Sequence, residues 1–248
     1  MSKITLTATL ALGVLTSTAV TAQETDTDEG MVTGNLAITT DYVARGFSQT
    51  DRDPAIQGGL DWIMKAGSIT PYLGTWASSV DGKRALGVPG AHAELDIYGG
   101  LIIPLFGVDF DVGLLGYLYP GANAEGFNPN YLEYKVAGTY TALEMLAVTP
   151  SYSYSSNYFG LGYASHYVNL DFAVAPPDLP LGLTFHGSVG RSVFSSDYAV
   201  DYTDYAVGAS IEVEGFSLSV SYTDTNLNED SCAKLCGKRV VGKIQYDF

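Results

Sequence analysis

The sequence predicts an all-β protein, a transmembrane antiparallel up-and-down β-barrel of about twelve strands. Three observations predict it. The last nine residues alternate strictly, with Val240, Gly242, Ile244, Tyr246 and Phe248 on one face and Val241, Lys243, Gln245 and Asp247 on the other. Residues at i and i+2 share a strand face, so this is strand periodicity. Alternating segments recur along the chain, each close to the 9–11 residues of a membrane β-strand. The connections between them alternate between short and long, the pattern of outer-membrane barrels.

At the N-terminus, Lys3 supplies a positive start, residues 4–20 are apolar or small, and Val20-Thr21-Ala22 offers a small-residue cleavage site. Residues 1–22 read as a secretory signal peptide. Residues 23–32, acidic from Glu24 to Glu29, read as a flexible start, and residues 33–248 as the barrel. No other window is long and apolar enough for a transmembrane helix; Pro104 and Gly107 break the best run, Leu101 to Val108.

The predicted strands are 35–46, 54–64, 69–77, 92–103, 108–119, 130–142, 145–155, 163–174, 181–191, 201–213, 215–224 and 239–248. Pro71 and Pro150 weaken the third and seventh, because Pro cannot donate to a ladder. Short links fall at 65–68, 104–107, 143–144, 176–180 and Glu214. Long ones fall at 47–53, 78–91, 120–129, 156–162, 192–200 and 225–238. An even strand number places both termini on the periplasmic side of the bacterial outer membrane.

Phase then divides the side chains. Leu36, Ile38, Tyr42, Leu95, Ile97, Leu101, Val168, Leu170, Phe172, Leu181, Leu183, Phe185, Phe216, Leu218, Val220 and Tyr222 are expected to face lipid. The opposite phase collects Asp41, Asp61, Glu94, Asp96, Asp109, Asp111, Glu133, Asp171, Asp204 and Glu212, with Arg45, Lys135 and Lys243. These charges either pair with one another or meet water. Together they describe an acid-rich lumen that attracts cations. Asp41 and Arg45, in phase but four residues apart on one strand, would each meet a neighbouring strand. Arg45 could stand as a fixed positive post or neutralise Asp41 and Asp61.

The net charge of −15, one unit more negative without Lys3, argues against nucleic acid. Cys232 and Cys236 are expected to form a small disulfide loop in an exported chain; metal binding by two thiols is the alternative, and no metal or cofactor is expected. Phosphate-loop, dinucleotide, zinc and EF-hand signatures are absent from the sequence. Gly58-Gly59 and Gly99-Gly100 read as sites of bending or close packing within strands.

The stretch Thr40-Asp41-Tyr42-Val43-Ala44-Arg45-Gly46-Phe47-Ser48-Gln49-Thr50, followed by Pro54 to Asp61, resembles the opening of the TorF-type porin family, the Gcw_chp proteins of proteobacterial outer membranes. Tyr72 to Val80 and Glu94 to Gly100 extend the resemblance. It runs from about residue 33 to the C-terminus and is most specific in its first third; Ser79 and Ala44 depart from the usual Asn and aromatic. It implies a barrel and a pore role for small polar solutes, amine oxides among them. The tail, with Tyr246 and Phe248, resembles the signal that barrel-assembly machinery reads.

His186-Gly187-Ser188, with Asn169 on the preceding strand, has the residue types of a barrel lipase. Its phase points into the lumen, whereas a lipase needs lipid access. His92 and His166 are isolated near strand ends. The expected function is therefore passive diffusion of small polar solutes, cationic or zwitterionic, with no enzymatic activity. The alternatives are a non-conducting barrel whose surface loops bind a partner and, more remotely, the lipase. Expected partners are outer-membrane lipid, the barrel-assembly machinery and the permeating solutes; homo-oligomerisation is left open.

Overall fold

The computed structural model describes residues 30–248 apart from 124, 125, 127 and 144. The signal-peptide reading of residues 1–22 lies outside the described residues, as does nearly all of the acidic start. Twelve strands close a barrel: β1 (Met31–Thr39), β4 (Ala55–Ile63), β5 (Thr70–Ser79), β6 (Ala93–Leu105), β7 (Val108–Leu118), β8 (Tyr131–Ala142), β9 (Leu146–Ser155), β10 (Ser165–Val174), β11 (Thr184–Phe194), β12 (Tyr202–Val213), β13 (Phe216–Thr225) and β14 (Arg239–Asp247). Two short strands, β2 (Val43–Ala44) and β3 (Phe47–Ser48), pair only with each other.

Each barrel strand is antiparallel to its sequence neighbours. Closure comes from β14 on β1, with Leu36 opposite Tyr246 and Thr39 opposite Lys243. The terminal residue completes it: Phe248 and Gly34 exchange backbone hydrogen bonds of 2.7 and 2.9 Å. No open edge is left to seed aggregation.

The short links obey turn chemistry. Phe106-Gly107 and Glu214-Gly215 carry positive φ at both positions (55° and 77°, 52° and 86°). That matches the primed turns whose twist suits a tight hairpin, with Gly at the second position. Pro150 sits inside β9 opposite Leu170, and the β8–β9 register skips the positions beside it. A proline has no N–H to give there. Thr139 and Thr149 join their hydroxyls across the gap at 3.0 Å.

Two sequence expectations are corrected. The first strand does not run 35–46. It spans Met31–Thr39, after which residues 40–54 turn into the barrel. Tyr42 is consequently buried in the lumen and does not face lipid. Alternation alone cannot distinguish a strand that continues from one that turns inward. The ninth strand begins at Thr184, not 181, because Pro180–Gly182 forms a 3-10 turn; Leu181 and Leu183 belong to that turn.

The barrel is inverted relative to a soluble protein. Its outer face exposes a belt of large apolar residues such as Leu36, Ile38, Leu73, Ile97, Val112, Leu170, Val220 and Ile244. Exposed aromatics flank the belt. Trp62, Phe110, Tyr140, Phe216 and Tyr246 lie near the short-turn rim, and Tyr134, Tyr152, Tyr205 and Tyr222 toward the long-loop rim. Two aromatic girdles around an apolar band are what a bilayer's two interfaces require. No helix among the described residues is long and apolar enough to cross a membrane, so spanning falls to the strands.

Candidate functional site: a lumen crossed by a hairpin

The lumen wall is polar. Its buried residues include Thr39, Gln57, Ser78, Thr149, Ser153, Ser155, Ser192, Ser210, Ser217, Ser221, Thr223 and Gln245, along with the acids. The acids concentrate with tyrosines on β4–β8, while β9–β14 present mostly small hydroxyl side chains and glycines.

Tyrosines reach carboxylates by lying across glycines. Asp61, Gly74 and Tyr98 stand in register on three successive strands, and the Tyr98 hydroxyl donates to Asp61 at 2.7 Å. Tyr72 lies over Gly100 and Gly113 and donates to Asp111 at 2.7 Å. Tyr167 crosses Gly190 to donate to Asp204 at 3.1 Å. His186 crosses Gly208 to Ser221 at 3.0 Å. A Cβ at Gly74 would collide with both the Tyr98 ring and the Asp61 carboxylate. Gly74→Val is therefore expected to cost about 1–3 kcal/mol by overpacking. Chemical unfolding of the variant in vesicles checks this; unchanged stability would show that Tyr98 is not held over the glycine.

Residues 40–54 cross the lumen above this wall. Arg45-Gly46 forms the tip, with φ of 47° and 79°, the same turn geometry as the short links but aimed inward. A Cβ on Gly46 would strike Thr225 and Asp204, so the tip is pressed against β12 and β13. The Arg45 guanidinium makes a bidentate pair with Glu133 on β8 at 2.9 and 2.7 Å and lies 4.2 Å over the Tyr167 ring on β10. Tyr117 also donates to Glu133, at 3.3 Å. Phe47 packs on Tyr202 with ring centroids 5.0 Å apart. Toward β5 and β6, Tyr42 sits 5.3 Å from the Trp76 ring and donates to Glu94 at 2.5 Å. Burial, then the Glu94 and Asp96 charges, push the Tyr42 hydroxyl well above the usual phenol range, which keeps it a donor.

Asp41 anchors the base of the hairpin. It accepts from Ser48 at 2.6 Å, Thr50 at 2.8 Å and Arg239 at 3.0 Å. The loop before β14 holds the hairpin from the other side. The Ser48 N–H donates to the Leu235 carbonyl at 2.8 Å, and Arg52 donates to that of Lys234. This loop contains the Cys232–Cys236 disulfide. Arg84 bridges Asp51 and Asp53 of the hairpin to Asp81 at 2.6–2.9 Å.

The sequence-expected charges thus separate into groups. Arg45 joins Glu133; it meets neither Asp41 nor Asp61. Lys135 lies 3.7 Å from Asp111, Asn169 donates to Asp171 at 2.6 Å, and Lys243 donates to Gln245 at 3.0 Å. Glu94 accepts from Tyr42 and from Tyr119, the latter at 2.6 Å. Asp96 and Asp204 each keep one buried oxygen without a hydrogen-bond partner. Asp109 lies on β7 near the short-turn rim, and Glu212 is exposed near the end of β12. The lumen tyrosines, Trp76 and Arg239 escaped the sequence reading. Their signal was phase: Tyr98 shares the lumen phase of Asp96, and Arg239 that of Val241 and Lys243.

His186 and Ser188 lie on the lumen face of β11, and the His186 ring partners Ser221. Among the described residues no group of three or more His, Cys, Asp or Glu could hold a metal ion.

A closed twelve-stranded barrel with an apolar belt, paired aromatic girdles and a polar lumen is an outer-membrane β-barrel of porin-like fold. Among solved structures, the chain resembles the KdgM porin in complex with disordered oligogalacturonate (TM-score 0.52, 9% identity, 88% of this chain and 99% of that one covered). It also resembles the NanC porin (TM-score 0.53, 10% identity, 88% and 99%). No curated relative matches it. The chain belongs to the family described as bacterial protein of unknown function (Gcw_chp), whose model matches residues 23–247.

Proposed function

We propose that this barrel is an outer-membrane channel for passive diffusion of small polar solutes, cations ahead of anions. The observation that carries the reading is the lumen itself. An interior built for packing alone would be filled with Leu, Ile and Val. This one is lined by hydroxyls and carboxylates, with a hairpin narrowing it. An acid-rich bore in low-dielectric walls attracts cations by its field. In this reading both termini face the periplasm, and assembly machinery recognises Tyr246 and Phe248. The finer resemblance to TorF-type porins supports a polar solute and names no substrate.

Planar-bilayer recording tests it. Discrete openings are expected, and under a potassium chloride gradient the reversal potential shifts toward the cation equilibrium. An anion-selective shift overturns the charge preference.

The hairpin's attachment on several sides of the lumen favours a second reading, a barrel closed at rest whose long loops bind a partner. That version predicts no openings in the parent and openings once residues 43–48 are replaced by a short glycine linker. No openings in either protein would sink the channel reading.

A further inference from the structure

We propose that Asp96 is the binding site for a small organic cation carrying N–H donors, of the primary-ammonium class. The register places Asp96 directly opposite Trp76 on β5 and Tyr117 on β7. The carboxylate is thus flanked by an aromatic residue on each side, and Tyr42 stands against Trp76 from the hairpin.

Asp96 is 8% exposed, and its Oδ1 has no hydrogen-bond partner. A buried carboxylate oxygen left unpaired is costly, and a cationic donor removes the cost. The neighbouring acids are already engaged. Both oxygens of Glu94 accept tyrosine hydroxyls, and both oxygens of Glu133 accept from Arg45. Asp96 lies within electrostatic reach of both; the charge of Glu133 is met by Arg45, which leaves Glu94 and Asp96 as the pair that favours a cation.

Aromatic walls select the kind of cation. An ammonium held at Asp96 beside these in-register aromatic side chains gains cation–π attraction, which adds to its hydrogen bond with the carboxylate. A divalent metal instead needs several oxygen ligands, and the described residues offer no group of three or more His, Cys, Asp or Glu that could hold one. Asp204 also has a free Oδ1, but its other oxygen accepts from Tyr167, and the ring of that tyrosine already carries the Arg45 guanidinium, so a resident cation occupies the aromatic surface there.

This assignment rests on the proposed cation preference and makes it specific. The test is isothermal titration calorimetry on the full folded chain in detergent, at fixed ionic strength, with ethylammonium and tetramethylammonium chloride. Ethylammonium is expected to bind saturably. Tetramethylammonium, which cannot donate to Asp96, should bind at least about tenfold more weakly. Asp96→Asn and Trp76→Leu should each weaken ethylammonium by about tenfold or more, while Asp178→Asn in a short-turn link should not. Heat-modifiable gel migration confirms that each variant is folded. No saturable binding, or the same affinity in Asp96→Asn, overturns the site; the carboxyl then holds a proton. The two readings fail separately. A cation-selective channel without this binding loses the site alone, and Asp96-dependent binding in a barrel that never conducts loses the channel alone.

Discussion

Replacing Arg45 with alanine is expected to destabilise the barrel by about 3–5 kcal/mol and to raise its conductance. The guanidinium is the hairpin's anchor at β8, and Glu133 is only 2% exposed. Removing one partner of a buried pair leaves the other charged and desolvated, which costs far more than the pair contributes. The tip also loses its contact with Tyr167. A double variant, Arg45→Ala with Glu133→Gln, should recover much of the loss because no buried charge is stranded. Its conductance should stay high, because the hairpin is still unlatched. Urea unfolding in vesicles reads the first effect and single-channel recording the second. Equal stability of the single and double variants would refute the stranded-charge account; parental conductance in both would show that Arg45 does not hold the hairpin in the ion path.

Val220→Arg should cost about 2–4 kcal/mol of folding free energy in vesicles. Val220 is an exposed apolar side chain near the middle of β13, opposite Ala209 and Gly242. At that depth a guanidinium has no water to solvate it. Val240→Arg, at the long-loop end of β14, should cost only about 0–1 kcal/mol because the side chain reaches the interface. The gradient between the two positions is the signature. Equal costs would mean that the apolar face is not immersed in lipid, and the membrane orientation would need revision.

Much of the architecture could be read from local pattern. In the final strand every outward residue from Val240 to Phe248 and every lumen residue from Val241 to Asp247 takes its expected face. The alternation of connection lengths located the long and short rims, and only the first and ninth strands moved appreciably. The reason is that a strand half in lipid and half in a polar lumen must alternate, so its period is written into consecutive residues. The first strand shows the limit of that signal. Thr40 to Gly46 continues a plausible alternation, but Arg45-Gly46 adopts turn dihedrals and the chain doubles back.

The sequence by itself determined the class of fold, the outward apolar set apart from Tyr42, Leu181 and Leu183, the acidity of the lumen and the pairing of the last strand that closes the barrel. Tertiary structure alone decided the pairings inside. Arg45 and Glu133 are 88 residues apart. Asp41 is held by Arg239 from the far end of the chain, and Asp96 acquires its aromatic neighbours only through the registers of β5 and β7. Such contacts carry no local period. They depend on strand order and shear, and on a hairpin that turns into the bore because buried carboxylates there must find donors.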